Sequence, residues 1–107
     1  MLPSQIIEEI ARLTQENSRG AEALFEAEVA LAHAEFELDT VEQKAFIKTQ
    51  GTVADRTALA KLESANARLE RDLKRAQLNR IKTKIKTIET SLMALGTQVK
   101  LIQSEMR

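Results

Sequence analysis

The side chains that most often carry catalysis are scarce in this sequence of 107 residues. It has no cysteine and one histidine, His33, which excludes a thiolate nucleophile and a cysteine-ligated metal. No glycine-flanked serine of the nucleophile-elbow type accompanies His33. The acidic pairs Glu8 with Glu9 and Glu35 with Glu37 lack the Glu-x-x-His spacing of di-iron helical bundles. We therefore predict a protein that is not an enzyme and holds no metal or cofactor.

Basic side chains form the one group whose pattern indicates a binding chemistry. The candidate nucleic-acid contacts are Arg71, Lys74, Arg80, Lys82, Lys84 and Lys86. A helical stripe roughly 60° wide contains Arg68, Arg71, Arg75, Lys82 and Lys86. Such a stripe can follow the phosphates of single-stranded DNA, with salt-dependent affinity. The alternative is a solvated or acid-paired face, because the chain has no Tyr or Trp on which bases could stack.

The composition indicates long helices that would position these bases. There are 3 glycines and 1 proline, while 43% of residues are hydrophobic and 30% charged, which is typical of a coiled coil. Residues 1–45 carry a net charge of −7 and residues 46–107 one of +7. Two helices made to pair with each other would show this asymmetry, as would an acidic arm and a nucleic-acid-binding arm. Without a signal peptide or apolar span, a soluble cytoplasmic protein is expected.

A turn at the midpoint of the chain divides the predicted helices. Gly51 suits a left-handed helix end, Thr52 can cap the next helix, and Asp55 can act as the acidic partner in its first turn. We predict one domain over 1–107, with a helix over about 4–49, a turn at 50–52 and a helix over about 53–105. The first helix would be capped by Ser4.

Apolar residues recur by threes and fours along both helices. The first seam comprises Ile6, Ile10, Leu13, Asn17, Gly20, Leu24, Ala27, Leu31, Ala34, Leu38, Val41 and Ala45. Asn17 fixes register in this seam or marks a kink at 17–20. A second stripe on the same helix comprises Phe25, Val29, Ala32 and Phe36. The other helix shows one seam of Leu59, Leu62, Asn66, Leu69, Leu73 and Ala76, then a shifted one of Leu78, Ile81, Ile85, Ile88, Leu92, Leu95, Val99, Ile102 and Met106. The shift near Gln77 predicts a stutter.

These seams predict an all-α fold, a long antiparallel hairpin that resembles a coiled coil. Facing residues would have numbers that sum to 103, as in Val41 with Leu62, Ala34 with Leu69 and Ala27 with Ala76. The same sum pairs Glu42 with Lys61, Glu35 with Arg68 and Glu28 with Arg75. A lone hairpin of this length leaves much of its apolar face exposed to water. We therefore predict a homo-oligomer, such as a four-helix bundle or a larger assembly. The helices could also pair between chains instead of within one.

The turn and the chain end carry a resemblance. The stretch 51–56, the following Ala58-Leu59-Ala60 and the close Gln103-Ser104-Glu105-Met106-Arg107 are similar to small helical proteins of tailed bacteriophages, often encoded near replication and recombination functions. In that layout, an acidic helix, a Gly-Thr/Ser-Val-Ala-x-Arg turn and a basic helix follow one another. The resemblance spans about residues 35–107 and implies a phage-encoded protein in the host cytoplasm. It carries over no catalytic residue.

Two functions remain open from the sequence. The first is an accessory to single-stranded-DNA, replication or recombination machinery that binds through the basic helix. The second is a protein-only adaptor, scaffold or inhibitor of host defence that acts through helix–helix contacts, with an acidic face of Glu22, Glu26, Glu37 and Asp39. Neither function requires a membrane or a small-molecule substrate.

Overall fold

The computed structural model describes residues 2–106, which form three helices and contain no strand. They are α1 (Pro3–Lys48), α2 (Val53–Glu63) and α3 (Ala65–Glu105). The all-α prediction is confirmed. Met1 and Arg107, the ends of the predicted domain, lie outside the described residues.

Helix α1 begins one residue before the predicted start. Pro3 occupies the first helical position, where its missing N–H leaves nothing unpaired. The backbone N–H of Leu2 bonds the Gln5 side-chain oxygen at 3.0 Å, and the Leu2 carbonyl accepts from the amides of Gln5 and Ile6. Ser4 therefore lies inside the first turn, and the prediction that it caps α1 was wrong. Helical structure also continues through 17–20, without a break there.

The turn between α1 and α2 is built as its residue types predict. Gly51 has a φ of 128°, a backbone conformation that favours glycine. Thr52 is extended and accepts the Asp55 backbone N–H at 3.2 Å, so it caps α2. Arg56 then ties α2 back to α1, because its Nε donates to the Phe46 carbonyl at 3.0 Å and its guanidinium lies 4.1 Å from the ring centroid.

The predicted helix over about 53–105 is interrupted at Ser64, which separates α2 from α3. Ser64 is fully buried, and its hydroxyl lies 3.2 Å from the Lys61 carbonyl and 3.4 Å from the Glu42 carboxylate. A serine that bonds a carbonyl in the preceding turn competes with regular helix. The interruption is short, since the Ser64 amide still donates to Ala60 and its carbonyl accepts from Arg68. The helical rhythm therefore carries across it.

The described residues form two compact units where the sequence predicts one domain. We call residues 2–25 with 80–106 the terminal unit and residues 26–79 the turn unit. The terminal unit packs α1 against α3 around four buried residues, Ile6, Leu13, Ile88 and Leu95, flanked by Ile10, Leu92, Val99 and Ile102. Gly20 lets Ile85 approach closely, because a Cβ at Gly20 would lie 3.0 Å from Ile85 Cγ1.

The turn unit has a core of shorter side chains. Its buried residues are Ala27, Leu38, Ala45, Ala60, Ser64 and Leu78. Three of these are alanines, so the helices meet through short side chains. All twelve predicted seam positions of α1 are buried or half-buried in their own units, as the heptad spacing predicts.

On the second half of the chain, one seam runs in a single phase. The buried and half-buried positions before Leu78 are Ala60, Ser64, Ala67, Arg68, Arg71 and Lys74, while Leu59, Leu62, Asn66, Leu69, Leu73 and Ala76 are exposed. Counting back from Leu78 by fours and threes reproduces this seam without the stutter predicted near Gln77. The prediction that Leu62, Leu69 and Ala76 contact α1 was therefore wrong. Small and basic side chains occupy those places.

The predicted ion pairs are displaced by one heptad. Glu42 pairs with Arg68 at 3.2 Å and Glu35 with Arg75 at 3.5 Å, instead of with Lys61 and Arg68. Helical side chains point toward the N-terminus of their own helix, so in an antiparallel pair the two heads lean in opposite directions. Arg68 shows this lean directly, since its guanidinium also lies 3.0 Å from the Ser64 hydroxyl. A register that pairs residues whose Cα atoms lie at the same height along the hairpin therefore predicts the wrong partner for long charged side chains.

Candidate functional site

The turn unit presents an uncovered apolar face on α2 and α3. We call this face the outer leucine stripe; its members are Leu59, Leu62, Asn66, Leu69, Leu73 and Ala76. The four leucines are exposed over 43%, 72%, 57% and 54% of their surface in chain order. Their spacing alternates by three and four, which is the pattern of a coiled-coil seam. The face therefore has the form of a helix-binding surface.

The outer leucine stripe faces outward because the α3 seam fixes the rotation of the helix. Leu69 lies nine residues before the buried Leu78, and at about 100° per residue this places it on the opposite side. Helix α3 is uninterrupted from Ala65 to Glu105. Turning the leucines inward would require unwinding the helix between them and Leu78. The seam that the sequence assigns to Leu69 and Leu73 is thus not the seam with α1.

The other predicted seam residues lie toward the helix–helix contact of their own units. Leu38 and Ile88 are buried, while Leu24, Leu31, Ile81, Ile85 and Leu92 are half-buried. The second stripe of α1 also stays uncovered. In the turn unit Val29 is 40% and Phe36 73% exposed, and in the terminal unit Phe25 is 68% exposed.

The six predicted nucleic-acid contacts are divided between the two units. In the turn unit, Arg71 and Lys74 are half-buried on the seam side of α3, and Arg71 Nε lies 2.8 Å from the Asp72 carboxylate. In the terminal unit lie the four exposed bases that we call the basic segment: Arg80, Lys82, Lys84 and Lys86. None of the ion pairs found in residues 2–106 involves the basic segment.

The basic segment is itself divided between two sides of α3. Its members are two residues apart, and two residues turn a helix by about 200°. Arg80 and Lys84 therefore lie on one side, and Lys82 and Lys86 lie on the other. All three arginines of the narrow stripe predicted from the sequence are in ion pairs, Arg68 and Arg75 with glutamates and Arg71 with Asp72.

The predicted acidic face is exposed but divided between the units. Glu22 belongs to the terminal unit, and Glu26, Glu37 and Asp39 belong to the turn unit. Elsewhere in the terminal unit, Arg12 bonds Glu9 and Glu16 along α1. The hydrogen bond and charge of Arg12 hold the pKa of the Glu9 carboxyl below its usual value.

The residues that could do chemistry are not gathered into a site. His33 is exposed on α1. Across 2–106, no group of three or more His, Asp or Glu side chains is placed to hold a metal ion. Beside the turn, an open groove of about 360 Å³ is lined mainly by apolar atoms of residues such as Phe46, Ile47 and Ala60. Its polar lining residues are Glu42, Gln43, Thr57 and Lys61.

None of the described helices is both long enough and apolar enough to cross a bilayer. Comparisons with protein-family models, with curated proteins and with solved structures find no match to this chain. We argue function from the outer leucine stripe, for its heptad spacing, and from the basic segment, for its charge.

Proposed function

We propose that the protein is a non-enzymatic helical interaction protein that binds a partner helix through the outer leucine stripe of its turn unit. The observation that carries the proposal is the outward position of Leu59, Leu62, Leu69 and Leu73. Fully covering a leucine contributes about 1.5–3 kcal/mol, so covering four of them gives a contact of several kcal/mol before association entropy is subtracted. Aligned, exposed leucines of this kind mark contact surfaces.

The small seam of the turn unit supports the same function. Alanine, serine and basic residues of α2 and α3 face α1 there, so the leucines of the same stretch are left outside the contact with α1. A protein helix laid along the outer leucine stripe would supply the missing burial. We therefore assign the turn unit to binding.

The role fits an adaptor, scaffold or inhibitor that acts by helix–helix contact. A phage origin, action in the host cytoplasm and a link to recombination rest on the resemblance of the turn motif and the chain end alone. Within this proposal they define the cells in which partners should be sought.

Site-specific photo-crosslinking in cells that produce the full chain tests the proposal. A benzophenone amino acid replaces Leu69 in one variant and Thr87, on the outer face of the terminal unit, in a matched control. We expect abundant protein adducts from position 69 and few from position 87. Equal yields at the two positions, or no protein adduct from position 69, would contradict the proposal.

A second candidate function is nucleic-acid binding by the terminal unit. The observation in its favour is that Arg80, Lys82, Lys84 and Lys86 are exposed and outside the ion pairs of the described residues. Fluorescence anisotropy with labelled single-stranded DNA across salt concentrations tests it. Binding through two lysines on one side predicts a shallow slope of log affinity against log salt, of about −1.4. Absence of binding at low salt would remove this candidate.

A further inference from the structure

We infer that the occupant of the outer leucine stripe is a second copy of this chain, aligned parallel and in register to form a two-fold dimer. This inference rests on the proposed function and names the partner of the same surface. It starts from the heptad positions of the stripe. Leu59, Asn66 and Leu73 occupy one seam position, a, and Leu62, Leu69 and Ala76 occupy the other, d.

Asn66 is the first indication of a second copy. It is an exposed asparagine in the middle of an otherwise leucine-rich face. One asparagine at an a position fixes the register of parallel coiled coils and lowers their stability. In a parallel in-register dimer, Asn66 of each chain would lie opposite Asn66 of the other, so the two amides can bond each other. Any other register would set it against leucine and leave its amide unpaired.

The charges beside the stripe select the parallel orientation. At the flanking e positions lie Glu63, Glu70 and Gln77, and at the g positions lie Ala58, Ala65 and Asp72. In a parallel pair each g position faces the e position of the next heptad. Glu63 and Glu70 would then face alanines, and Asp72 would face Gln77. No like charges meet in this arrangement.

An antiparallel pair would instead bring e positions against e positions. Glu63 and Glu70 of one chain would face the same glutamates of the other, and like charges in contact are destabilising. Both glutamates are exposed and neither joins an ion pair in the described structure. The stripe therefore disfavours an antiparallel second copy.

The local backbone permits such a contact. Ser64, where α2 passes into α3, occupies an f position and is buried on the side away from the stripe. The amide and carbonyl bonds across it keep both halves of the stripe in one rhythm. A two-fold axis along the stripe closes the assembly at two chains.

Cysteine cross-linking of the full chain tests the dimer, since the sequence has no cysteine. A disulfide needs Cα atoms within about 7 Å. In a glutathione buffer, Asn66→Cys and Leu73→Cys should each form homodisulfide dimers, and Lys61→Cys, outside the stripe, should remain monomeric. An antiparallel pair centred on the stripe would hold positions 73 too far apart. Failure of Leu73→Cys to cross-link, or equal cross-linking of Lys61→Cys, would overturn the inference.

Light scattering on the purified chain supplies the second arm. The unsubstituted chain should be a dimer, and the double variant Leu62→Glu/Leu69→Glu should dissociate at least about 100-fold more readily while keeping its helical circular dichroism. Asn66→Leu should lose the single register and form larger assemblies. A monomeric parent chain would overturn the dimer. If position 69 still cross-links to another protein in cells, the proposed function survives; if it does not, both fail.

Discussion

In the terminal unit, isoleucine, leucine and valine lie between α1 and α3, and the outward side of α3 carries threonines and lysines. In the turn unit, alanine, serine, arginine and lysine lie along the α2 and α3 side of that seam before Leu78, and the leucines of that stretch point outward. Within the turn unit, Leu78 is buried and Leu69 is exposed. The comparison teaches that heptad spacing of leucines does not by itself tell which side of a helix is buried in its own chain.

This contrast assigns different roles to the two units. The terminal unit buries its own apolar residues, as a self-sufficient helical pair does. The turn unit combines a core of shorter side chains with contacts between polar groups, such as Ser64 with Glu42 and Arg68. The partly exposed ion pair between Glu42 and Arg68 contributes only about 0.2–1 kcal/mol. The turn unit therefore has the greater need of a partner.

The largest expected difference between the units comes from truncating one large aliphatic side chain in each. Ile88→Ala removes a buried side chain of the terminal core and should lower the free energy of unfolding by about 2–5 kcal/mol. Leu69→Ala removes an exposed one and should change it by less than about 1 kcal/mol in dilute protein. Urea unfolding followed by circular dichroism measures both. Equal losses would place Leu69 in a core and end the distinction.

A substitution at the turn probes the backbone of the turn unit. Gly51→Ala forces a residue with a Cβ into a φ of 128° and should destabilise the chain by about 1–3 kcal/mol. The comparison is Thr52→Ala, which should lose about 1 kcal/mol by removing the α2 cap. Thermal unfolding measures both variants. An unchanged melting temperature for Gly51→Ala would show that the turn tolerates a different backbone.

A basic residue on the seam side of α3 in the turn unit can be replaced by an apolar residue of the kind found in the terminal core. Lys74→Leu places an apolar side chain at a half-buried position facing α1 and should raise the free energy of unfolding by about 1 kcal/mol. Lys82→Leu changes an exposed lysine of the basic segment in the same way and should have little effect. Urea unfolding distinguishes them. A gain at Lys82 that matches the one at Lys74 would contradict the seam assignment.

The smallest expected difference in stability is between alanine substitutions at two helical glycines of the terminal unit, Gly20 and Gly96. A Cβ at Gly96 would meet nothing within 4 Å, so Gly96→Ala should stabilise the helix by about 0.8–1 kcal/mol. Gly20→Ala gains the same helical propensity but presses on Ile85, so its net gain should be smaller or negative. Differential scanning calorimetry resolves the order. A larger gain at Gly20 would show that Ile85 is loosely packed.

The sequence alone predicts the turn and the α1 seam well, because both depend on local rules. Gly51 and Thr52 suit their backbone conformations, and every predicted seam position of α1 is buried or half-buried. Continuity of α1 through Asn17 could not be predicted, since the same stretch 17–20 contains residues that favour both a seam and a break.

The heptad pattern of the second half predicts the wrong seam before Leu78, because the most hydrophobic residues there are not the buried ones. Leu62 and Leu69 make a better heptad seam than Ser64 and Arg71, and only the fixed rotation of α3 decides between them. The contact of Ser64 with Glu42 was missed for the same reason. One signal was present: Ser64 lies four residues after Ala60 and fourteen before Leu78, in phase with the buried seam.

The central claim is that Leu69 is exposed within its own chain and covered by a partner chain. The sequence has no tryptophan, so Leu69→Trp introduces a single fluorescent reporter, with Leu95→Trp in the terminal core as its control. Acrylamide quenching across a dilution series is the most direct measurement. We expect position 69 to be shielded in concentrated protein and accessible on dilution, while position 95 stays shielded throughout. Shielding of position 69 at every dilution, in a chain that light scattering finds monomeric, would contradict the claim.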